Sequence, residues 1–80
     1  MVTEYWGTRT DNGLVARARS TLSNSKIQAL RKLSVEEDRV GVVLRGQVPL
    51  YYYKQLAQEV VRNELEDVAI FNEIEVVDPR

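Results

Sequence analysis

Three consecutive acidic residues, Glu36, Glu37 and Asp38, are the densest group of potential metal ligands in this sequence of 80 residues. Carboxylates are preferred calcium ligands, but a calcium loop spaces its oxygen ligands along the chain and has a glycine at its sharp turn. This run has neither the spacing nor the glycine. We therefore interpret it as the solvated tip of a hairpin and expect no metal site.

The composition excludes several kinds of catalytic chemistry. The sequence contains no cysteine and no histidine, so thiolate or imidazole zinc sites, thiol nucleophiles and histidine general bases are ruled out. Its serines therefore have no histidine to activate them. The segment GVVLRG lacks the glycine spacing and the lysine of a phosphate-binding loop. We expect a protein without enzymatic activity, catalytic residues or a cofactor.

Three adjacent tyrosines, Tyr51, Tyr52 and Tyr53, follow Pro49 and open a predicted helix. Successive helical residues point about 100° apart, so the three rings cannot all face the core. Tyr53 falls on the apolar stripe of the helix, which leaves Tyr51 and Tyr52 as candidate surface residues. They either cover the sheet edge and pack with Tyr5 and Trp6, or form an aromatic patch suited to a partner or a lipid headgroup layer.

A basic bias marks the first predicted helix and the segment after it. This is either a solvated face or a surface that attracts anionic lipid, at about 1 kcal/mol per basic residue. Only some of these side chains can face one way, so such binding would be weak and sensitive to salt. The candidate residues are Arg17, Arg19, Lys26, Arg31 and Lys32.

The overall charge is close to balanced, with 11 basic and 12 acidic residues and a net charge of −1. This argues against a nucleic-acid-binding protein, which would need a clustered basic face. The longest apolar run is four residues, Val68–Phe71, whereas a membrane span needs about 20. The first ten residues lack the basic start and apolar core of a signal peptide.

The hydrophobic pattern predicts one domain with elements in the order helix, strand, strand, helix, strand. Residues 1–10 are expected to be a tail, and Asp11 is a candidate N-cap for the first helix. Leu33 to Val48 read as a hairpin with its tip at the acidic run. A helix after Pro49 and an alternating strand from Val68 complete the domain, with a second tail at 78–80.

Three residues are predicted to be structural. Gly46 interrupts a strand on the face that the helices should cover, and a strand glycine allows a helix backbone to approach closely. Ala57, small and central on the helix stripe, is its expected neighbour. Asn72 should point to the same face, where a buried amide must be hydrogen-bonded, so we expect it to bridge to a loop backbone.

Phe71 is expected on the opposite, open face of the sheet, with Val43 and Ala69 beside it. One interpretation is chance exposure on a sheet with one bare face. The other is a docking face for another domain or a second copy. Because the candidate apolar residues are few, we expect a monomer or a weak dimer.

The order and spacing of these residues resemble the BON domain, a family found in bacterial osmotic-stress, outer-membrane-associated, secretin-like and mechanosensitive-channel proteins. The resemblance covers roughly residues 11–77. It departs from the family at Glu66-Asp67, where a glycine often precedes the last strand, and at the hairpin turn, which lacks a frequent glycine. The matching residues are Val35, Val42, Leu44, Gly46, Val48, Ala57, Ile70, Asn72, Ile74 and Val76.

The resemblance implies a small α+β domain in the order αββαβ, with two helices packed on one face of a three-stranded mixed sheet. It also implies a non-catalytic binding module of the bacterial periplasm or cell envelope. BON domains are thought to bind phospholipid surfaces or protein partners and often occur in tandem or attached to other domains. The leading expectation is therefore attachment of a larger envelope protein to anionic phospholipid or to an envelope protein. The alternative is protein–protein contact or self-assembly through the open sheet face and the tyrosines.

Overall fold

A computed structural model describes the backbone of residues 2–78 and the side chains of residues 13–78. The chain forms three helices and five short strands. In chain order they are α1 (Val2–Ser23), α2 (Gln28–Arg31), β1 (Ser34–Glu37), β2 (Gly41–Arg45), β3 (Gln47–Val48), α3 (Tyr51–Glu64), β4 (Ala69–Asn72) and β5 (Glu75–Val76).

The strands form a mixed sheet of order β1-β2-β4, in which β1 is antiparallel and β4 parallel to β2. Strands β3 and β5 form a second, parallel pair. Backbone bonds from Glu73 N to Leu44 O and from Glu75 N to Gly46 O carry the pairing across the gap between the two sheets. The predicted long strands are therefore each interrupted once.

One face of the sheet carries the core, as the alternating pattern predicts. Val35, Val42, Leu44 and Val48 are almost completely buried and pack in one cluster with residues of α1 and α3. In α3, Ala57 is completely buried, which confirms its place on the apolar stripe. The α+β class and the placement of two long helices on one face are thus as expected.

Helix α1 begins at Val2, so Asp11 lies inside the helix and the predicted N-cap is wrong. The physical reason is that nucleation is the costly step of helix formation, whereas each added residue gains a hydrogen bond at little cost. A helix nucleated by the packed residues Leu14, Ala18 and Leu22 can extend toward its N-terminus. The helix ends at Ser23, at the start of the polar segment Ser23-Asn24-Ser25.

Gly46 serves a different purpose from the one predicted. Its φ angle is +135°, and a Cβ atom there would meet Leu33 Cδ2 at 2.7 Å and Leu33 Cα at 3.4 Å. The expected close neighbour, Ala57, is not among these nearest atoms. Gly46 is required where β2 turns into β3, because L side chains rarely adopt this backbone conformation.

Gly41 is a second required glycine, which the sequence pattern did not reveal. It begins β2 directly after the hairpin turn and pairs with Ala69 of β4. A Cβ atom at Gly41 would lie 1.9 Å from the Ala69 carbonyl oxygen, so the two strands can meet only if this residue has no side chain. This close approach fixes where the parallel strand begins.

Asn72 bonds a loop backbone, as predicted, and it also connects the sheet to α3. Its Nδ2 donates to Lys54 O at 2.9 Å and to Gln58 Oε1 at 3.1 Å. Its Oδ1 accepts from the Ile74 N–H at 3.2 Å, in the short connection between β4 and β5. One side chain therefore positions both the helix and the break in the strand.

We expect Asn72→Leu to lower the free energy of unfolding by about 1–3 kcal/mol, because it leaves the part-buried Ile74 N–H unsatisfied. Asn72→Asp is the matched control, since it keeps the acceptor for Ile74 but loses the donor to α3. Urea denaturation should place the aspartate variant between wild type and the leucine variant. Equal midpoints for all three proteins would show that the amide contributes no stability.

The loop before β4 contains a residue other than glycine with a positive φ angle. Asp67 has a φ angle of +61°, the left-handed conformation that glycine adopts most easily and that aspartate tolerates better than most residues. Asp67 thus takes the conformation for which a glycine is often used.

Candidate functional site

The candidate site is the end of the domain at which α3 begins, here called the tyrosine end. Strand β3 leads through Pro49 directly into α3, and β5 pairs beside β3, with Val77 N donating to Val48 O at 2.8 Å. This topology places the first turn of α3 next to the last residues of β5. Five apolar or aromatic side chains there are 40–63% exposed: Leu50, Tyr51, Tyr52, Val76 and Val77.

The tyrosines divide as helical geometry requires. Tyr53 is partly buried and packs against the core cluster, whereas Tyr51 and Tyr52 are 60% and 63% exposed. The rings of Tyr52 and Tyr53 lie 5.6 Å apart at an interplanar angle of 59°, a tilted arrangement that aromatic pairs favour. The predicted packing with Tyr5 and Trp6 involves side chains outside the described ones.

Helix α2 brings a basic residue to the tyrosine end. An open groove of about 480 Å³ runs between α2 and the start of α3, lined by Ile27, Gln28, Ala29, Lys32, Gln47, Pro49 and Tyr53. Lys26 and Arg31 directly precede the groove residues Ile27 and Lys32 in the sequence, and both are exposed. Within residues 13–78, none of Lys26, Arg31 and Lys32 forms an ion pair, so their charges are available to an external anion.

The other two basic candidates are used elsewhere in the fold. Arg17 Nη2 donates to Glu64 O at 2.7 Å and lies 3.4 Å from Glu64 Oε2, at the end of α3 opposite to the tyrosines. Arg19 Nη2 donates to Val35 O at 3.3 Å, on the outer edge of β1. The five predicted residues therefore do not form one surface, because neighbouring positions on α1 point to different sides of the helix.

Three acidic residues lie close together at the opposite end of the domain, which contains the hairpin turn. Glu37 and Asp38 of the hairpin turn line one groove with Asp67, which precedes β4. The Asp38 carboxylate accepts from the Val40 N–H at 3.2 Å, so it stabilises the hairpin turn. Arg39 lines the same groove, and Glu75 and Asp78 adjoin Val76 and Val77 in the sequence, so the hairpin end is mainly acidic and the tyrosine end carries charges of both signs.

The open sheet face carries Phe71, as predicted, next to Val43 and across from Glu36. Phe71 is 40% exposed, but Val43 is only 7% exposed. Beside them, Arg45 Nε lies 2.9 Å from Glu36 Oε1 and Arg45 Nη1 lies 2.8 Å from Glu73 Oε1. This face therefore combines a small apolar area with paired charges.

The Arg45 guanidinium lies between two carboxylates. Its hydrogen bond to Glu36, the charge of Glu36 and then the charge of Glu73 raise the pKa of the guanidinium above its usual value. Arginine is already protonated at all physiological pH values. Arg45, Glu36 and Glu73 form a charged border beside Val43 and Phe71.

Other classes of site find little support in the described part of the chain. Among its residues, no group of three or more acidic side chains is placed to hold a metal ion. None of the helices in residues 2–78 is sufficiently long and apolar to cross a membrane. The features that remain are surface features: the tyrosine end, the open sheet face and the outer edge of β4.

Sequence reasoning missed two parts of this surface. It did not identify the groove between α2 and α3, because the pattern does not show which elements are in contact. It also missed the outer edge of β4 and the neighbouring Arg62. The available signal for this edge was that Val68–Asn72, the outermost strand with the residue before it, contains no charged residue.

Comparison with known proteins adds no identification. No protein-family model matches the sequence, and a search of curated proteins likewise found no match.

Proposed function

We propose that this chain is a non-enzymatic, BON-like binding module that attaches a larger bacterial envelope protein to an anionic phospholipid surface through its tyrosine end. The single observation that carries the proposal is the groove that joins Lys32 to Tyr53 and Pro49, beside the exposed Tyr51 and Tyr52. Tyrosine suits the boundary between water and lipid because its ring is apolar and its hydroxyl is polar.

The charge distribution supports an oriented approach. Lys32 lines the groove at the tyrosine end, and Lys26 and Arg31 adjoin groove residues in the sequence, whereas the groove at the other end is lined by Glu37, Asp38 and Asp67 with a single basic residue, Arg39. An anionic surface attracts the first group and repels the second, so the net charge of −1 does not prevent binding. The domain approaches with α2 and the start of α3 facing the lipid.

The expected affinity of a single domain is low. Three basic residues at about 1 kcal/mol each supply about 3 kcal/mol, which corresponds to a dissociation constant of several millimolar. Useful attachment then depends on a second copy or on another domain of a longer protein, which raises the effective concentration. Self-assembly through the open sheet face has less support, since Arg45, Glu36 and Glu73 interrupt its apolar area.

The test is an NMR titration of the isotope-labelled chain with phosphatidylglycerol vesicles and with phosphatidylcholine vesicles. We expect signal loss only with the anionic vesicles, first at the amides of Lys32, Tyr51 and Tyr52, and recovery of the signals at about 300 mM salt, where the screening length is shorter than about 8 Å. Lys32→Gln should weaken the binding about fivefold. Arg62→Gln, which removes the same charge near the other end of α3, should not.

Two results would contradict the proposal. Binding to phosphatidylcholine that persists at high salt would exclude the electrostatic account. No signal change with either lipid would exclude attachment to a lipid surface and favour a protein partner. Sedimentation that shows a tight oligomer, dissociated by Phe71→Ser, would instead identify the open sheet face as an assembly surface.

A further inference from the structure

The two outer edges of the sheet differ in whether another element covers them. On one side, Arg19 of α1 donates to Val35 O and so covers the edge of β1. On the other side, β4 is outermost and pairs only with β2 within the described chain. Natural proteins protect exposed edges with charged residues, prolines or covering elements, whereas β4 and the residue before it, Val68–Asn72, contain neither a charge nor a proline.

The hydrogen bonds of the sheet show which groups of β4 face outward. Glu73 N donates inward to Leu44 O and Glu75 N donates inward to Gly46 O. Because successive residues of a strand alternate in the plane of the sheet, the N–H and C=O groups of Ile70 and Asn72 point to the free edge. The Ile74 N–H, next in this series, is already bound by Asn72 Oδ1, so the free edge ends there.

A groove lies directly below this edge on the helix side. Its volume is about 580 Å³, and its lining comes from the end of α3, the following loop and β4: Gln58, Arg62, Leu65, Glu66, Asp67, Val68 and Ile70. A strand added beside β4 directs every second side chain into such a groove. The edge and the groove together therefore supply main-chain bonds and a side-chain pocket, which is the arrangement of β-strand addition.

One position in the groove, between Gln58 and Arg62, suits a carboxylate. Arg62 is exposed and forms no ion pair with any described residue. Gln58 Oε1 already accepts from Asn72, so its amide NH₂ group is left to donate. Both groups suit an acceptor with negative charge, while Glu66 and Asp67 at the start of the groove disfavour a highly acidic ligand.

We propose that the outer edge of β4 binds an extended peptide segment of a partner protein as a fourth strand, with one carboxylate side chain placed between Gln58 and Arg62. The flanking side chains of this segment are apolar or small and pack against Val68 and Ile70. This site lies near the end of α3 that is remote from the tyrosines, so a partner peptide and a lipid surface can be bound together.

A second copy of the chain is a poorer occupant than a partner peptide. Residues 68–72 contain no carboxylate, so the same edge of another copy has nothing to offer Arg62. A peptide from another protein can both pair with the main chain of β4 and place a carboxylate in the groove.

The test uses an acetylated hexapeptide of alternating valine and threonine with one central threonine replaced by glutamate. NMR titration of the intact chain should shift the amide signals of Ile70 and Asn72, with a dissociation constant in the millimolar range. A peptide with glutamine in place of glutamate should bind about two- to fivefold more weakly, the contribution of an exposed ion pair. Arg62→Gln should remove this difference, whereas Lys54→Gln should retain it.

N-methylation of alternate peptide amides, in the two possible registers, separates strand addition from simple side-chain contact. One register should abolish binding, because its methyl groups face the edge of β4, and the other should leave binding unchanged. Equal binding of both methylated peptides, or no shift at Ile70 and Asn72 with several millimolar peptide, would overturn the proposal. Equal affinity for the glutamate and glutamine peptides would overturn the assignment of Arg62.

Discussion

Gly41→Ala is expected to lower the free energy of unfolding by about 3 kcal/mol, near the upper end of overpacking costs. The new Cβ would lie 1.9 Å from the Ala69 carbonyl oxygen, and a backbone atom cannot be moved aside by a side-chain rotation. Strand β4 must shift away from β2, which weakens their parallel pairing. For a domain of this size the melting temperature should fall by roughly 12–24 °C, as measured by circular dichroism.

Gly13→Ala is the matched control for this experiment. Gly13 lies within α1 and has nothing within 4 Å of the position of an added Cβ. Alanine should therefore stabilise the helix by about 0.5–1 kcal/mol, because it has less backbone entropy to lose. A Gly41→Ala melting temperature equal to that of wild type would show that β2 and β4 do not approach each other closely at this point.

Gly46→Val should also destabilise the domain by about 3 kcal/mol. At φ = +135° a β-branched side chain strains the backbone, at about 1–3 kcal/mol, and its methyl groups add to the contact with Leu33. Urea denaturation should show a lower midpoint with an unchanged slope. The stability of an 80-residue domain is only about 4–12 kcal/mol, so a part of the population should unfold near the physiological temperature.

A double-mutant cycle with Leu33→Ala and Gly46→Ala assigns the cause. The atom nearest to the new Cβ is Leu33 Cδ2, the end of a flexible side chain that can turn away. We therefore expect a coupling energy below about 0.5 kcal/mol, which assigns the cost to the backbone angle. A Gly46→Val protein with wild-type stability would contradict both the angle and the contact.

Much of the fold follows from the periodicity of the sequence. The alternation of Val35 with its neighbours and of Val42, Leu44 and Val48 identifies the covered face, because a strand shows successive side chains to opposite sides. The spacing of Tyr53, Leu56, Ala57 and Val60 likewise identifies the face of α3 that packs on it. These features could be predicted because each depends on neighbours along the chain.

Other features depend on contacts between distant segments and were not predictable. The neighbour of Gly46 proved to be Leu33, since the direction of a missing side chain depends on a φ angle that the pattern does not encode. Gly41 is required by Ala69, 28 positions further along the chain. Where α1 begins depends on helix propagation, so a good capping residue such as Asp11 can occur inside a helix.

The candidate site was likewise predictable only in part. The exposure of Tyr51 and Tyr52 follows from the 100° rotation per helical residue, and the structure confirms it. The division of the basic residues does not follow from the pattern. Arg17 and Arg19 lie on either side of the buried Ala18 and form hydrogen bonds to α3 and β1, respectively. Lys32 follows α2 and lines the same groove as Tyr53.

The mixed pairing of β2 determines the order in which the chain can assemble. Val42 pairs with Glu37, 5 residues away, and with Ile70, 28 residues away. Closing the longer loop costs about 1.5 kcal/mol more in chain entropy, so the hairpin can form early, while β4 must wait until α3 has crossed the sheet. The strand with the uncovered edge is thus the one that joins last, and until it arrives β2 is itself an open edge.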